Sequence, residues 1–374
     1  MTYDVAIVGG GLAGLSLSID LKKRGYTVVI IEKGNYPRHK VCGEYISMES
    51  HNYLHTICPP LAEFNLPQIS NFKLSSTGKK EFNTTLAPGG FGISRYLLEE
   101  LLFTEAKKKG VVFMLKNKAT DIYLNTDKRS YTIKTNVEDV NAILVCNSSG
   151  RKSNLETQVS SNRPIDTNTN YVGVKYHVKL NRDPTLIEIH NFAGGYCGIS
   201  NIEDDKSCLC YIVNSKKLNS VNNSITELEK VFLYKNDNLK KIFNTAEFIF
   251  KEPVTVSGIN FSIKKPVTDD SFFVGDSAGS IAPVTGNGMS IALRSAYVLA
   301  ANVDHYFSGS ITKQELVNNY NIFWNKEFSM RIKLSRHFQK LSEYSRLTNL
   351  SIGLFNSFPL LAKSIIKQTH GSPF

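Results

Sequence analysis

The sequence lacks several features that each define a class of protein. Nowhere in its 374 residues does an uninterrupted apolar run approach the roughly 18 residues that a membrane-spanning helix needs. The N-terminus has no basic segment ahead of an apolar one and goes directly into strand-like sequence, so we expect no signal peptide. These two absences predict a cytoplasmic protein, and the length predicts more than one domain.

Cysteine is also scarce, and its spacing excludes two further classes. Cys208 and Cys210 are separated by one residue, which is the spacing of neither a disulfide framework nor a zinc site, and no histidine cluster accompanies them. We therefore expect reduced thiols and no metal site. The full set of cysteines is Cys42, Cys58, Cys146, Cys197, Cys208 and Cys210.

Basic residues outnumber acidic residues, which gives the chain a net charge of +11. Such a charge favours acidic partners or simply keeps the protein soluble, and no recognition motif follows it, so we expect no nucleic-acid partner. Residues 325–374 contain eight basic and two acidic residues, a net charge of +6, with apolar residues between 350 and 366. This pattern fits either a terminal helix with a solvated basic face or peripheral contact with an anionic membrane.

The N-terminal region is predicted to form a strand, a glycine-rich turn, a helix and a second strand. Residues 4–9 and 27–31 are short apolar runs typical of strands buried on both faces. Between them, Gly9, Gly11 and Gly14 fit the spacing G-x-G-x-x-G. The order predicts a Rossmann-type βαβ unit that binds a dinucleotide.

Each position in this unit has a physical purpose. Gly9 permits the tight turn, Gly11 lets the backbone approach a pyrophosphate, and Gly14 lets the helix pack closely on the strand. Glu32 ends the second strand, where a carboxylate accepts hydrogen bonds from ribose and would repel a 2′-phosphate. The site therefore suits FAD or NAD over NADP. The neighbouring residues in the predicted contact set are Leu12, Ala13 and Lys33.

A second glycine-rich segment lies far downstream. Residues 271–279 are predicted to form a strand that ends at Gly275-Asp276, and residues 283–289 lead into a helix that begins near Ser290. This segment resembles the second FAD fingerprint of the para-hydroxybenzoate hydroxylase-like oxidoreductases and monooxygenases, and most closely that of the geranylgeranyl reductase branch. The resemblance implies that Asp276 binds the ribityl chain and that the helix N-terminus stabilises reduced flavin. The residues assigned to the cofactor here are Gly275, Asp276, Pro283, Gly286, Asn287, Gly288 and Met289.

Two further segments agree with this branch. Residues 36–44 resemble its F-P-R-x-K-x-C-G motif beside the isoalloxazine, with Glu44 in place of a frequent second glycine. Residues 94–106 resemble a helix whose arginine, Arg95, reaches the cofactor. Cys42 is also a candidate proton donor, although a small buried cysteine is common in cores. The resemblance thus adds Arg38, Cys42, Gly43 and Arg95 to the cofactor site.

The middle motif departs from the branch. Residues 145–153 occupy the place of an A-D-G-x-x-S motif tied to FAD and NADPH contacts, and Ser148 or Ser149 replaces its aspartate. The electron donor therefore stays open between NAD(P)H and a reduced carrier protein.

The resemblance implies an α/β fold with an α+β insert: a discontinuous Rossmann-type FAD-binding domain, an inserted antiparallel-sheet substrate domain and a helical C-terminus. The predicted FAD-binding part comprises residues 1–71, 93–160 and 255–310, the substrate-binding sheet residues 72–92 and 161–254, and the helical region residues 311–374. Residues 171–178 and 208–213 alternate as strands of that sheet do. The candidates for the substrate pocket, each weighed against ordinary packing, are Phe91, Tyr176, His190, Phe192 and Tyr196.

Three functions follow from the resemblance. The first is an FAD-dependent oxidoreductase that reduces C=C bonds of an isoprenoid or other hydrophobic substrate by hydride from flavin N5. The alternatives are a monooxygenase that hydroxylates an aromatic or polyketide-like substrate, and a flavin-binding protein without turnover. Halogenation is disfavoured, because residues 194–200 lack the W-x-W-x-I-P motif of flavin-dependent halogenases and the chain has a single tryptophan, Trp324. The oligomeric state stays open.

Overall fold

The computed structural model of the chain describes residues 1–125, 129–151, 170–261, 264–268 and 271–374. The strands in these ranges are β1 (Thr2–Val8), β2 (Val28–Glu32), β3 (Tyr45–Ser47), β4 (Gln68–Ser75), β5 (Glu81–Gly92), β6 (Val112–Leu115), β7 (Ala119–Asn125), β8 (Ser130–Thr135), β9 (Val140–Asn147), β10 (Tyr171–Lys179), β11 (Leu186–Phe192), β12 (Gly195–Asn201), β13 (Ser207–Asn214), β14 (Glu247–Phe248), β15 (Val254–Ile259), β16 (Val267–Thr268) and β17 (Ser271–Phe273). The helices are α1 (Leu12–Lys23), α2 (His51–Ile57), α3 (Arg95–Lys108), α4 (Ser215–Asn219), α5 (Ile225–Val231), α6 (Asp237–Thr245), α7 (Gly288–Phe307), α8 (Lys313–Ser342), α9 (Ser345–Ser357) and α10 (Pro359–Thr369).

The first sheet is the predicted Rossmann-type unit. Its strands run in the order β16-β17-β9-β1-β2-β6, and β1 pairs in parallel with both β2 and β9. Because side chains alternate along a strand, Val5 and Ile7 pack in the same core as α1 and α7, while Ala6 and Val8 pack with β7 and β8 on the other face. The predicted continuous apolar runs of the first two strands follow from this burial on both faces.

The second sheet runs in the order β14-β10-β13-β12-β11-β4-β5-β3, and β15 pairs with the outer side of β10. Its pairs are antiparallel apart from β4 with β11. One face packs on α4–α6, as Val172 and Val174 of β10 show, while Gly173, Lys175 and His177 of the same strand lie on the opposite face. The strands predicted at 171–178 and 208–213 are confirmed.

The predicted domain boundaries stay a prediction. The second sheet contains β3 and the start of β4 from the range 1–71, and most of β15 from the range 255–310. It therefore draws strands from stretches assigned to the FAD-binding part.

The C-terminal region is helical, as predicted. Thr312 and Glu315 form a reciprocal capping box that begins α8, which packs Trp324 and Phe328 into the main core. The shorter α9 and α10 follow, contact each other and pack on β4 and β5. None of the helices in the described ranges combines the length and apolar character that crossing a bilayer requires.

Candidate functional site

A cavity of about 1030 Å³ extends between the two sheets and the C-terminal helices. One end is lined by the glycine turn after β1 and by the β2 terminus. The other end is apolar and is lined by β4, β5, α9 and α10. A volume of this size exceeds that of most single-ligand pockets, so the cavity has room for a cofactor together with part of a substrate.

The glycine turn is shaped so that backbone alone borders the cavity. Gly9 has φ +100°, and a Cβ there would lie 2.7 Å from the Ser148 carbonyl oxygen. A Cβ on Gly14 would collide with the Gly9 carbonyl oxygen, whereas one on Gly11 would meet only the Lys40 Nζ, at 3.4 Å. The first N–H groups of α1 have no side-chain cap, since Gly11 is its N-cap residue. This combination fits an approaching diphosphate.

Glu32 is a fixed negative charge at the end of β2. Its carboxylate accepts hydrogen bonds from the N–H groups of Gly10 and Gly34, both at 2.8 Å, and from Arg38 at 2.6 and 3.0 Å. Burial by itself would raise the pKa of Glu32, but Arg38 and the two backbone N–H groups lower it to about 2. The carboxylate therefore stays ionised at the place predicted for a ribose.

Three cations surround the same end of the cavity. The buried carboxylate of Glu99 on α3 binds Lys40 at 2.9 Å and also Arg95, and Arg38 approaches it at 3.5 Å. With Glu32, two carboxylates thus face three cations, and the Lys40 Nζ is the atom nearest to Gly11. Lys40 keeps 31% of its side chain exposed, but burial of its charged end among Arg38 and Arg95 lowers its pKa to about 8 against the pull of Glu99.

The excess of cations over carboxylates at this end of the cavity is the observation that fits FAD, whose diphosphate is negatively charged. A diphosphate beside Gly11 would supply the missing negative charge, and the uncapped start of α1 would donate to its oxygens. Lys40 stands in the motif found at residues 36–44 but was absent from the predicted contact set. Glu99, which holds the cations together, carried no signal in the sequence beyond its place on the predicted helix.

The second fingerprint forms the opposite side of the cofactor end. Gly275, with φ +64°, turns the chain after β17, and the Asp276 carboxylate borders the cavity and pairs with Arg151 at 3.1 Å. Gly286, with φ +69°, ends the next turn, and α7 begins two residues later. The Asn287 side chain is buried and donates to the Thr369 carbonyl oxygen instead of facing the cavity.

The structure brings most of the predicted cofactor residues to one cavity. Those that line it are Gly9, Gly11, Leu12, Ala13, Glu32, Lys33, Arg38, Cys42, Gly43, Arg95, Asp276, Pro283, Gly286, Gly288 and Met289. Gly14, Gly275 and Asn287 lie directly behind the lining. Of the middle motif, Ser148 lines the cavity and donates to the Val8 carbonyl oxygen, and the residues after Arg151 lie outside the described ranges.

Glu44 explains why the related motif often has glycine at this position. It has φ +56°, in the left-handed region, and its side chain is fully buried. One carboxylate oxygen accepts from the Lys175 Nζ at 2.7 Å and from the Arg95 N–H at 2.9 Å, and the other contacts the His177 Nε2 at 2.6 Å. These bonds hold the turn that contains Cys42, which lines the cavity and whose Sγ accepts from the Glu44 N–H at 3.4 Å.

Charge compensation keeps this buried cluster ionised. Burial would raise the pKa of Glu44, but His177 and Lys175 lower it below its ordinary value, and the carboxylate in turn raises the pKa of Lys175 against the effect of burial. Cys208 is near enough to Glu44 and His177 for the three to be considered as metal ligands. Burial raises the pKa of its thiol well above the ordinary value, it donates to the Cys42 carbonyl oxygen, and Lys175 already neutralises the carboxylate. A cation is therefore disfavoured here.

Four of the five candidate pocket residues lie away from the cavity. Tyr196 lines it, whereas Tyr176 and Phe192 pack in the core beneath the second sheet. The Tyr176 hydroxyl donates to Glu229 at 3.0 Å, and the His190 Nδ1 contacts the Ser75 Oγ at 2.7 Å. Phe91 is buried in the main core.

The reason is that successive side chains of a strand point to opposite faces of the sheet, so neighbouring residues lie on different faces. On β11 the residues that face the cavity are Ile187, Ile189 and Asn191, one position away from His190 and Phe192. On β10 the side chains on the cavity side are Lys175 and His177 rather than Tyr176. Lys175 and His177 are polar residues at alternate positions of an otherwise apolar strand, and this pattern could have indicated which face of β10 lies on the cavity side.

The apolar end of the cavity comes from segments far apart in the chain. Phe72, Leu74, Phe82 and Leu86 of β4 and β5 form one wall. The facing wall is made by residues of α8–α10: Phe338, Leu341, Phe355, Ala362, Ile365 and Ile366.

Comparisons with known proteins agree with this architecture. A family model described as "FAD dependent oxidoreductase" matches residues 4–41. The chain is 25% identical to a digeranylgeranylglycerophospholipid reductase of Methanococcus vannielii over 91% of the chain and 88% of that protein. It is 23% identical to conditioned medium factor receptor 1 of Dictyostelium discoideum, over 89% of the chain and 70% of that protein.

Solved structures share the fold over nearly the whole chain. The flavin-dependent brominase Bmp2 superposes with a TM-score of 0.78 at 19% identity, covering 98% of this chain and 93% of its own. A geranylgeranyl bacteriochlorophyll reductase-like protein from Thermoplasma acidophilum gives 0.71 at 18% identity, covering 93% and 90%. The relatives and the family model confirm the predicted resemblance to geranylgeranyl reductases and the class of FAD-dependent oxidoreductase, and the solved structures confirm the fold.

Proposed function

We propose that the chain uses bound FAD to reduce C=C bonds of an isoprenoid lipid. The observation that carries the proposal is one continuous cavity with an ion-paired end at the glycine turn and an apolar end between β4, β5, α9 and α10. A diphosphate-bearing cofactor suits the first end, and a long hydrocarbon chain suits the second. The relatives that are named as lipid reductases support this choice of substrate.

The residues have distinct roles in this reaction. Glu32 binds the ribose, Asp276 binds the ribityl chain, and the N–H groups at the glycine turn bind the pyrophosphate. The flavin, when bound, supplies a hydride to one carbon of the double bond. The other carbon takes a proton, for which we propose the Cys42 Sγ at the cavity lining as the donor.

The same proposal covers the electron donor and the location. The donor is NAD(P)H or a reduced carrier protein, and the rate of anaerobic flavin reduction by NADPH, NADH and reduced ferredoxin separates these. A lipid substrate resides in a bilayer, so we also propose that the protein is located in the cytoplasm and makes peripheral contact with a membrane.

Product analysis tests the reaction. Purified protein containing FAD is supplied with a reductant and a polyprenyl lipid, first without oxygen and then with it, while oxygen is followed by electrode and the lipid by mass spectrometry. We expect anaerobic turnover and a gain of two hydrogen atoms for each reduced bond. Oxygen uptake coupled to a hydroxylated product would contradict this and favour the monooxygenase. A flavin that no donor reduces would favour a binding protein without turnover.

A further inference from the structure

The helices α9 and α10 have two apolar sides. On α9, Ile352 is buried and Phe355 lines the cavity, while Leu347, Leu350 and Leu354 are exposed on a neighbouring face, about 100° around the helix from the cavity-lining positions. Both sets follow helical spacing, so they form separate stripes. An ordinary surface helix needs one apolar stripe to pack on its protein, and the second stripe here has no partner within the described residues.

The exposed stripe continues across the turn into α10. Leu350 is 68% exposed, Phe358 59% and Leu360 82%. We define the docking face as Leu347, Leu350, Leu354, Phe358, Leu360 and Leu361. Exposed apolar residues that cluster on two helices in contact with each other often mark an interaction surface.

The charged side chains of the two helices are of one sign, and the nearby Glu81 carboxylate is paired with Lys73 at 3.0 Å. Residues 344–374 contain Arg346, Lys363 and Lys367 and no acidic residue. Lys80 adds a cation from the β4–β5 turn, with its Nζ 3.5 Å from the position of a Cβ on Gly353. The nearest acid before this stretch, Glu343, accepts hydrogen bonds from Tyr171 and, at 3.0 Å, from Asn214.

The protein holds the docking face in a fixed orientation. Ile352 and Ala362 are buried in a small core with Phe82, and the Asn356 side chain donates to the Glu81 carbonyl oxygen at 3.0 Å. Asn349 is bound by Ser76 of the β4–β5 turn. The inner side of the two helices is therefore fixed on the protein, and their outer side is available for contact with a binding partner.

We propose that the docking face binds the surface of an anionic phospholipid bilayer. Leucine and phenylalanine flanked by lysine and arginine, on helices too short to span, are the chemistry of an interfacial helix pair. A surface that binds a protein partner would be expected to carry acidic as well as basic groups at its rim, and no acidic residue is present between residues 344 and 374. Because the inner sides of the same helices line the cavity, the lipid substrate enters from the bilayer at this point; this second part rests on the proposed function.

Vesicle flotation tests the docking face. The FAD-containing protein is mixed with vesicles of phosphatidylcholine and phosphatidylglycerol in equal parts, and with phosphatidylcholine alone. We expect the protein to float with the mixed vesicles, and the double variant Leu350→Asp/Leu360→Asp to reduce the bound fraction about tenfold or more. Changing Arg346, Lys363 and Lys367 to Gln is expected to weaken binding to mixed vesicles by about fivefold for each cation removed.

A matched control distinguishes binding through the docking face from nonspecific adsorption of any exposed apolar residue to the vesicles. Ile322 on α8 is 65% exposed and lies outside the docking face, so Ile322→Asp is expected to leave flotation unchanged. Flotation of the double variant at the wild-type level would overturn the proposal. So would a wild-type protein that does not float but forms a dimer that the double variant loses, because the face would then join two copies of the chain.

The vesicle measurement requires no turnover, so it stands even where the reductase proposal fails. Conversely, the double variant is expected to keep wild-type turnover on detergent-dispersed lipid and to lose it on lipid within vesicles. Wild-type flotation with no reduction of any prenyl lipid would remove the proposed function and leave the docking face in place.

Discussion

The two ends of the cavity are built in opposite ways. The cofactor end is held by buried charges: Glu32, Arg38 and Lys40 lie within one stretch of chain, and Glu99 of α3 pairs with Lys40. The lipid end is apolar and joins β4 and β5 to helices more than 250 residues away. A buried charge needs partners at defined positions, whereas an apolar wall needs only shape. The first end is therefore specific in its chemistry, and the second is adaptable.

The largest effect is expected from removing a charge at the cofactor end. Lys175→Met leaves the Glu44 carboxylate buried without its ammonium partner, which is expected to lower the free energy of unfolding by about 3–5 kcal/mol. Urea unfolding measures this. Lys230→Met, which breaks an exposed pair with Glu227, is the control and is expected to have little effect. The double variant Glu44→Gln/Lys175→Met is expected to regain part of the loss; equal stability of wild type and Lys175→Met would contradict the account.

A change at the lipid end is expected to affect substrate alone. Phe355→Asp places a charge in the apolar wall and is expected to raise KM for a prenyl lipid by about 30-fold, which corresponds to roughly 2 kcal/mol of lost apolar burial. FAD content is expected to be unchanged, and Phe355→Leu is expected to restore most of the affinity. Loss of FAD in Phe355→Asp would show that the two ends are not separable.

A smaller effect concerns Lys40 and pH. FAD brings negative charge to Lys40 and so raises its pKa above the value of about 8 in the free protein. Affinity is therefore greatest below pH 8 and falls as the pH rises through that value. We expect Lys40→Met to weaken FAD binding about tenfold at pH 7 and to abolish this pH dependence, as measured by flavin fluorescence. The same pH dependence in the variant would assign it to another group.

The smallest effect tests on which face of β10 the Tyr176 side chain lies. Tyr176→Phe removes the hydrogen bond to Glu229 and is expected to cost about 1 kcal/mol of stability. Because Tyr176 faces the core beneath the sheet, KM for the lipid is expected to stay at the wild-type value. A changed KM with unchanged stability would support Tyr176 as the substrate-pocket candidate that the sequence offered.

The same comparison explains what could be predicted from the sequence. Gly9, Gly11 and Glu32 meet local requirements of a turn or a strand end, so their spacing predicts their role, whereas the role predicted for Asp276 comes from the family resemblance. The face of β10 on which Tyr176 lies could not be predicted, because it depends on which side the helical layer covers, and a shift of one residue reverses it. The wall formed by α9 and α10 is a matter of tertiary packing between distant segments, which neither composition nor periodicity specifies.

We propose that one cavity holds both the flavin and an isoprenoid chain, and a single-turnover experiment can measure electron transfer between them. The FAD in the protein is reduced by light without oxygen and mixed with a polyprenyl lipid in a stopped-flow spectrometer. We expect the oxidised flavin absorbance to return at a rate that depends on lipid concentration, with matching formation of reduced lipid. A flavin that stays reduced with every prenyl lipid and reoxidises only when oxygen is admitted would contradict it.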